Sequence, residues 1–401
     1  MIGRSKNIIV PTEFVSPQSN STGEYFYHIV ERLLIEGYSV KLVVPKSFEN
    51  QNAVISLHQQ FGNGVEARFI TQNADYKGAS FAKGLNSLLQ TIKLWWETRK
   101  ISRKNDILFF GTNPTFLILF LSLFLSSRKT SKVVLAYDIF PDNLLAISSS
   151  KIQRYIGNLL RPLFKFAYIR VDKVLVIGRC MKERLVDWGI SQEKVEVVSN
   201  WADELELMPS DESLEKDDTI EFQFLGNIGP LQGIELLLEA IPLVESPRAS
   251  FKFYGRGAYT ELLNEFIATG AHGERVIFGG EVARTDRNNI LNRCDVAIVS
   301  LDKRVTGLGV PSKTYFSLAV GKPLLVIAGA DSEPVRLTKD LNLGWTFTDG
   351  SPQGLAKLID TICYQWGEHP KPETIRRIFL EKFSKVVGTK AVTDKIVSKY
   401  K

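Results

Sequence analysis

Residue types that could do chemistry gather in Val305–Phe316, where Gly307, Gly309 and Pro311 mark a tight loop and Ser312 precedes Lys313. An apolar run at helical spacing (Tyr315, Leu318, Ala319) stops at Gly321, and Leu324–Ala328 then reads as a buried parallel strand. Ser312 is a candidate N-cap, and a lysine at such a helix mouth, among free backbone N–H groups, attracts anions, phosphate above all. The plainer reading is an ordinary loop-to-helix junction in an α/β domain. Three further expected strand ends carry glycine or a cation. They are Gly226-Asn227-Ile228-Gly229 with Gln232-Gly233, Gly255-Arg256-Gly257, and Gly279-Gly280-Glu281-Val282. Glycines let backbone approach a ligand closely, and Arg256 has the fork geometry that suits a diphosphate. Convergence of four such ends on one crevice is more specific than any of them alone. In the other half, Asp138 follows the strand Lys132–Ala136, at the sheet edge where α/β proteins place their ligands. It could orient a hydroxyl or take its proton, or it could merely bond loop amides; we favour the first and read Asp142 as structural.

The elements that must position these residues alternate strand and helix. Asn7–Val10, the helix Glu24–Glu36 and Ser39–Val44 open the chain as β–loop–α–β, without the GxGxxG of dinucleotide-binding sheets. Lys77–Lys104 reads as a long amphipathic helix with Trp95, Trp96 and seven Lys/Arg against one acid, Glu97. Such a helix suits an anionic bilayer surface as well as it suits a sheet-covering role with a solvated basic edge. Ile152–Val171 is a second cationic helix. Thr115–Leu125 is apolar but too short to span a bilayer. Asp203–Asp218 holds eight acids and one lysine, the profile of an exposed linker. The expected division is therefore a first domain over 1–202, a linker over 203–218, and a second domain over 219–369.

Composition narrows the classes. With 401 residues and 44% apolar content the chain suits two full domains. Cys180, Cys294 and Cys363 form no CxxC pair, and His28, His58, His272 and His369 have no ligand spacing, which argues against disulfide and zinc frameworks. No apolar stretch precedes the first strand, so no secretory signal is expected. Residues 1–200 hold 26 Lys+Arg against 16 Asp+Glu, giving +10, whereas residues 201–401 hold 24 against 28, giving −4. The basic half points to an anionic partner, and a membrane surface fits better than nucleic acid, for which no module is visible.

In this order the motifs resemble those of retaining glycosyltransferases of family 4, with the GT-B architecture of two facing Rossmann-like doubly wound α/β domains and a cleft between them. The marks are Thr22-Gly23, Tyr137–Asp142, Asn200-Trp201, the glycine loops at Gly226 and Gly255, and Gly309–Tyr315 with Gly321-Lys322-Pro323. The set is most similar to transferases of colanic-acid and O-antigen synthesis. The resemblance implies a nucleotide-diphosphate sugar as donor, UDP before GDP, and a saccharide or polyprenyl-linked acceptor. Transfer would retain configuration, with no metal or cofactor. Asp138, Lys313 and Arg256 are then the expected catalytic residues. Gly226, Asn227, Gln232, Gly255, Glu281, Val282, Leu308, Gly309, Val310, Ser312, Thr314 and Glu333 line the donor site, and Asn20, Ser21, Thr22 and Gly23 close the cleft. Leu308 and Phe316 stand where many members carry two glutamates, which leaves Glu333 as the nearest carboxylate. The last helices, about 370–401, are expected to cross back onto the first domain. The protein would be cytoplasmic, peripheral on the inner face of the cell membrane. A non-catalytic subunit of the same architecture and a nucleotide-sugar epimerase are the competing readings.

Overall fold

The computed structural model describes residues 7–72, 80–123, 125, 130–148, 150–210, 218–270 and 272–398. They divide into two compact units, Met1–Ser199 with Thr389–Lys401, and Asn200–Gly388.

Short runs rich in β-branched and aromatic residues build the first unit's sheet: β1 (Asn7–Pro11), β2 (Ser39–Pro45), β3 (Val65–Ile70), β4 (Ile107–Gly111), β5 (Ser131–Ala136), β6 (Lys173–Val176) and β7 (Val195–Val197). Their order is β3-β2-β1-β4-β5-β6-β7, every neighbour parallel, with Ile8 opposite both Val40 and Ile107. Buried residues fill β4 and β5 end to end, as expected for strands covered on both faces. Strand order reverses between β1 and β4, so the carboxyl ends of those strands open a crevice.

The second unit repeats this plan with β8 (Ile220–Leu225), β9 (Ala249–Tyr254), β10 (Val276–Phe278), β11 (Val296–Ser300), β12 (Leu324–Ile327) and β13 (Gly344–Phe347). Their order is β10-β9-β8-β11-β12-β13, all parallel, with the reversal between β8 and β11. Phe222 stacks on Phe251 at 5.5 Å between ring centroids, and Phe224 meets Phe253 beside them. These rings anchor the core under the glycine loops. The sheet pair thus has the doubly wound α/β form expected.

Several boundaries differ from expectation. The first helix is Ser21–Ile35, three residues longer at its start, because Asn20 caps it through a 2.9 Å bond accepted from the Gly23 N–H. The sequence reading passed over the helix Phe48–Phe61 and β3, whose polar, charged residues mask an edge strand and a weakly amphipathic helix. Of the expected helix Lys77–Lys104, Ser80–Ile101 is helical, while residues 73–79 lie outside the described residues.

The acidic segment is not a free linker over its first half. Asp203 is buried and pairs with Lys385 at 2.7 Å, while Asn288 and Asn292 accept from the Met208 and Ser210 amides. Residues 203–210 therefore pack on the second unit, and 211–217 lie outside the described residues. The helix Pro372–Lys382 also stays there. Arg376 donates to the carbonyls of Leu207 at 2.8 Å, Glu204 at 3.0 Å and Ala319. The chain joins the first unit only from Thr389, within the helix Lys385–Val397, not from about 370. Lys395 pairs there with Glu196, and Lys173 bonds Ser398 at 2.7 Å.

Candidate active site

At the carboxyl ends of β8, β9 and β10 the loops are stitched together through their backbones. Gly226 N–H donates to Tyr254 O at 2.9 Å, Ile228 N–H to Arg256 O at 3.0 Å, and Gly255 N–H to Gly280 O at 2.7 Å. Gly255 has φ +126°, and a Cβ there would lie 1.9 Å from Gly226 O. Only glycine permits this floor. Gly255→Ala should accordingly lower stability by about 3 kcal/mol, whereas Gly84→Ala, on an open helix face, should be neutral or slightly stabilising; urea midpoints compare the two.

Lys313 opens the seven-residue helix Lys313–Ala319 and turns its side chain onto that floor. Its Nζ lies 3.4 Å from the Phe224 ring centroid and 3.6 Å from where a Gly226 Cβ would stand. The amine is out of solvent and has no hydrogen-bond partner. Burial brings its pKa down to about 7. A ring face offsets only part of the desolvation of an ammonium, so the charged form of Lys313 is left undersatisfied there. Ser312 is already helical in backbone and makes no side-chain cap, contrary to expectation. Tyr315 and Phe316 amides bond its carbonyl instead.

The other expected donor residues are placed variously. Asn227 donates to the Gln232 side chain at 3.0 Å, and the Gln232 carbonyl accepts from Ser300 at 2.5 Å, tying the loop to β11. Arg256 is exposed and pairs with Glu281 at 3.3 Å, so the structure sets these two against each other at the surface. Val282, Gly309 and Ser312 are half-buried, and Val310 lies at the edge of the core. Leu308 is 3% exposed and packs as a core residue. Phe316 is buried too, with the Arg287 guanidinium over its ring at 4.3 Å. Thr314 is wholly buried, and its Oγ1 has no hydrogen-bond partner. Glu333 is buried in the first turn of the helix Glu333–Leu341.

In the first unit, Asp138 follows β5. It accepts from Thr112 Oγ1 at 2.6 Å and from Asn143 Nδ2 at 3.1 Å. Burial pushes its carboxyl above the usual range, and the bonds from Thr112, its own backbone and Asn143 reverse only part of that. A carboxylate so held is aligned and more basic than a free one, as proton acceptance requires. Asp142 differs: it is buried under Arg161 at 3.0 Å and Arg184 at 2.5 Å, with Trp188 Nε1 at 3.3 Å, an internal clamp. A cavity of about 540 Å³ opens at the carboxyl ends of β1, β2 and β4, lined by Gln18, Ser19, Asn50, Gln90 and Asn113 among others, with Glu13 and Glu49 and, among the described residues, no lysine or arginine. Asn20, Ser21, Thr22 and Gly23 do not line it, because they form the capped first turn of a helix. Gly23 is needed for packing there, since a Cβ would lie 2.4 Å from Ser16 O.

Residues 220–364 match the family model described as Glycosyl transferases group 1. The "Probable glycosyltransferase WbjE" of Pseudomonas aeruginosa is 32% identical over 363 residues, 89% of each chain. The chain belongs to the group 1 glycosyl transferases. The fold agrees with solved GT-B structures. HepE of Anabaena in complex with UDP superposes with a TM-score of 0.69 at 14% identity, covering 98% of this chain and 100% of that one. The lipopolysaccharide outer core galactosyltransferase WaaB in its apo form gives 0.68 at 13% identity, covering 98% and 99%.

Sequence reading of this glycosyl transferase missed the residues that brace the site. Thr112 and Asn143 hold Asp138, yet each sits in a short polar stretch beside an apolar run, Thr112-Asn113 and Asp142-Asn143, with no local sign of the contact. A second cavity, about 320 Å³, lies beside the β8–β11 reversal and is lined by Gly233, Glu235, Asp302, Lys303, Arg304 and Thr348 among others. Burial raises the Asp302 carboxyl, but the bonds and charge of Arg304, 2.6 Å away, more than reverse this and hold it below the usual range. The polar run Asp302-Lys303-Arg304 directly after an apolar strand was the available signal.

Proposed function

We propose that this glycosyl transferase is a family 4 enzyme that moves a sugar from a UDP-sugar to a saccharide or polyprenyl-linked acceptor, with retention of configuration, in building a bacterial surface polysaccharide. The observation that carries this reading is the Lys313 amine, buried and unpartnered against the Gly226 loop at the edge where α/β sheets bind ligands. A diphosphate supplies the missing anion. The UDP complex of HepE and the outer-core role in the name of WaaB lend support to donor and pathway. As the bond from the anomeric carbon to the diphosphate breaks, charge grows on the leaving oxygen, and the Lys313 ammonium offsets it. The acceptor hydroxyl bonds the anomeric carbon on the same face, and its proton passes to the departing diphosphate, with Asp138 orienting that hydroxyl. The cavity at β1, β2 and β4, lined by carboxamides, hydroxyls and the carboxylates of Glu13 and Glu49, suits a hydroxyl-rich acceptor. No metal or cofactor takes part in this scheme. The reading includes a cytoplasmic, peripheral station at an anionic membrane, supported by the +10 of residues 1–200. Among the described residues no helix is long and apolar enough to cross a bilayer.

One observation favours a non-catalytic subunit: Leu308 and Phe316 are packed into the core and accept no hydrogen bond. A thermal-shift panel of UDP- and GDP-sugars decides. At a hundred-fold excess over Kd, a UDP-sugar should raise the melting temperature by about 5 °C, with free UDP released on adding acceptor. A folded protein that no sugar nucleotide stabilises would favour the non-catalytic reading.

A further inference from the structure

The helix Lys151–Arg170 carries an apolar ridge that its own unit leaves uncovered. Ile152, Tyr155, Ile156, Leu159, Leu163 and Phe166 recur at spacings of three and four, so they form one stripe along the helix. Ile152 and Tyr155 are each 72% exposed and Leu159 64%. The buried face (Gly157, Phe164, Ala167, Tyr168) lies beside this stripe, so packing on the protein does not account for it. Lys151, Arg154 and Lys165 run along the far flank and enter no ion pair among the described residues. An apolar stripe with a cationic flank, on a helix too polar to cross a bilayer, is the pattern of a helix lying in a lipid headgroup layer.

The helix Ser80–Ile101 was the expected membrane element, and Leu85, Leu89, Ile92 and Trp96 are exposed along it, but Lys93, Arg99 and Lys100 beside them each have a partner within the chain. Lys93 donates to Thr71 O at 3.2 Å, Lys100 pairs with Glu97 at 2.6 Å, and Arg99 lies over Trp95. Trp95 itself is half-buried against Phe120.

We propose that the Ile152–Phe166 ridge is the bilayer-docking surface of this protein, entering the headgroup region of an anionic membrane while Lys151, Arg154 and Lys165 meet lipid phosphates. This rests on the membrane part of the proposed function and assigns it to one helix. The charge of residues 1–200 selects an anionic bilayer over a neutral apolar partner.

Sedimentation with phosphatidylcholine vesicles containing phosphatidylglycerol tests the assignment. The full chain should bind them, and Leu159→Ser with Leu163→Ser should weaken binding at least tenfold, with melting temperature unchanged because both side chains are exposed. Arg154→Glu with Lys165→Glu should weaken binding at low salt, and emission of a Leu159→Trp variant should shift to the blue on adding vesicles. Undiminished binding of the leucine variant overturns the ridge while leaving membrane association standing. No binding by the unaltered chain overturns both. A dimer in light scattering that the leucine variant converts to monomer makes the ridge a contact between copies and overturns the assignment as well.

Discussion

Replacing Lys313 by methionine is expected to lower kcat/KM for the sugar nucleotide by a factor of about 10²–10³ and, at the same time, to raise the melting temperature. The activity loss follows from removing a preorganised cation from a water-poor site, typically worth about 3–4 kcal/mol at the transition state. The stability gain follows from the Nζ atom, which is buried without a hydrogen-bond partner, so an apolar isostere removes a desolvation penalty on the order of 1–4 kcal/mol. The pH dependence fixes the cause. Between about 7 and the ordinary lysine value of 10.5, the unfolded chain holds the proton and the folded chain has released it. Stability of the unaltered protein therefore rises with pH through that window, and its deficit against Lys313→Met is greatest below pH 7 and closes towards pH 10. Binding runs the opposite way: a diphosphate needs the ammonium, so affinity for UDP should be flat below about pH 7 and weaken above it by up to tenfold per unit. Calorimetry of UDP binding against pH, with Lys313→Met as the flat control, reads this directly. Retention of kcat/KM within threefold in Lys313→Met would exclude a diphosphate contact.

Lys313 also shows what a sequence discloses and what it hides. Its position after a glycine-proline loop was legible, and β8 (Ile220–Leu225) and the helix Ile234–Ala240 were bounded as expected, because apolar runs ending at glycine are local signals. That its amine meets the Phe224 ring is a contact across 89 positions, which no local pattern carries. The same limit explains Arg256 and Glu281, each a candidate ligand by type, which the folded chain pairs with each other. It explains the acidic segment as well: Asp203 is charged in sequence yet buried beside Lys385 in the fold. The start of the first helix was misplaced for a different reason. Polar and small residues serve loops and helix caps alike, and only the Asn20 bond to the Gly23 amide separates the two. Leu308 and Phe316 were visible as departures from a pattern, but not their burial, nor the Arg287 guanidinium that another helix lays over the Phe316 ring.

Asp138→Asn is expected to reduce transfer by a factor of about 10²–10⁴ while leaving the fold intact. Asparagine is isosteric and still accepts from Thr112 through its carbonyl, while its amide faces Asn143 Nδ2 and gives up that one bond. Burial holds the Asp138 pKa above its ordinary value, which means the folded protein binds this proton more tightly than the unfolded chain does. The resulting penalty is absent below the unfolded pKa, grows as pH rises towards the folded one, and is full above it. Asparagine removes it and loses the Asn143 bond at every pH, so the stability of the variant relative to the unaltered protein should improve as pH rises from acid. If the carboxylate orients the acceptor hydroxyl, kcat/KM for acceptor should fall on the acid side of a pH profile as Asp138 protonates, and that limb should vanish in Asp138→Asn. Thr112→Val separates this role from bracing alone. It removes one of the bonds that stabilise the carboxylate, so the acid limb should move to higher pH with a smaller loss at its plateau. An acid limb identical in all three proteins would assign the titration to another group and exclude the Asp138 carboxylate from orienting the acceptor hydroxyl.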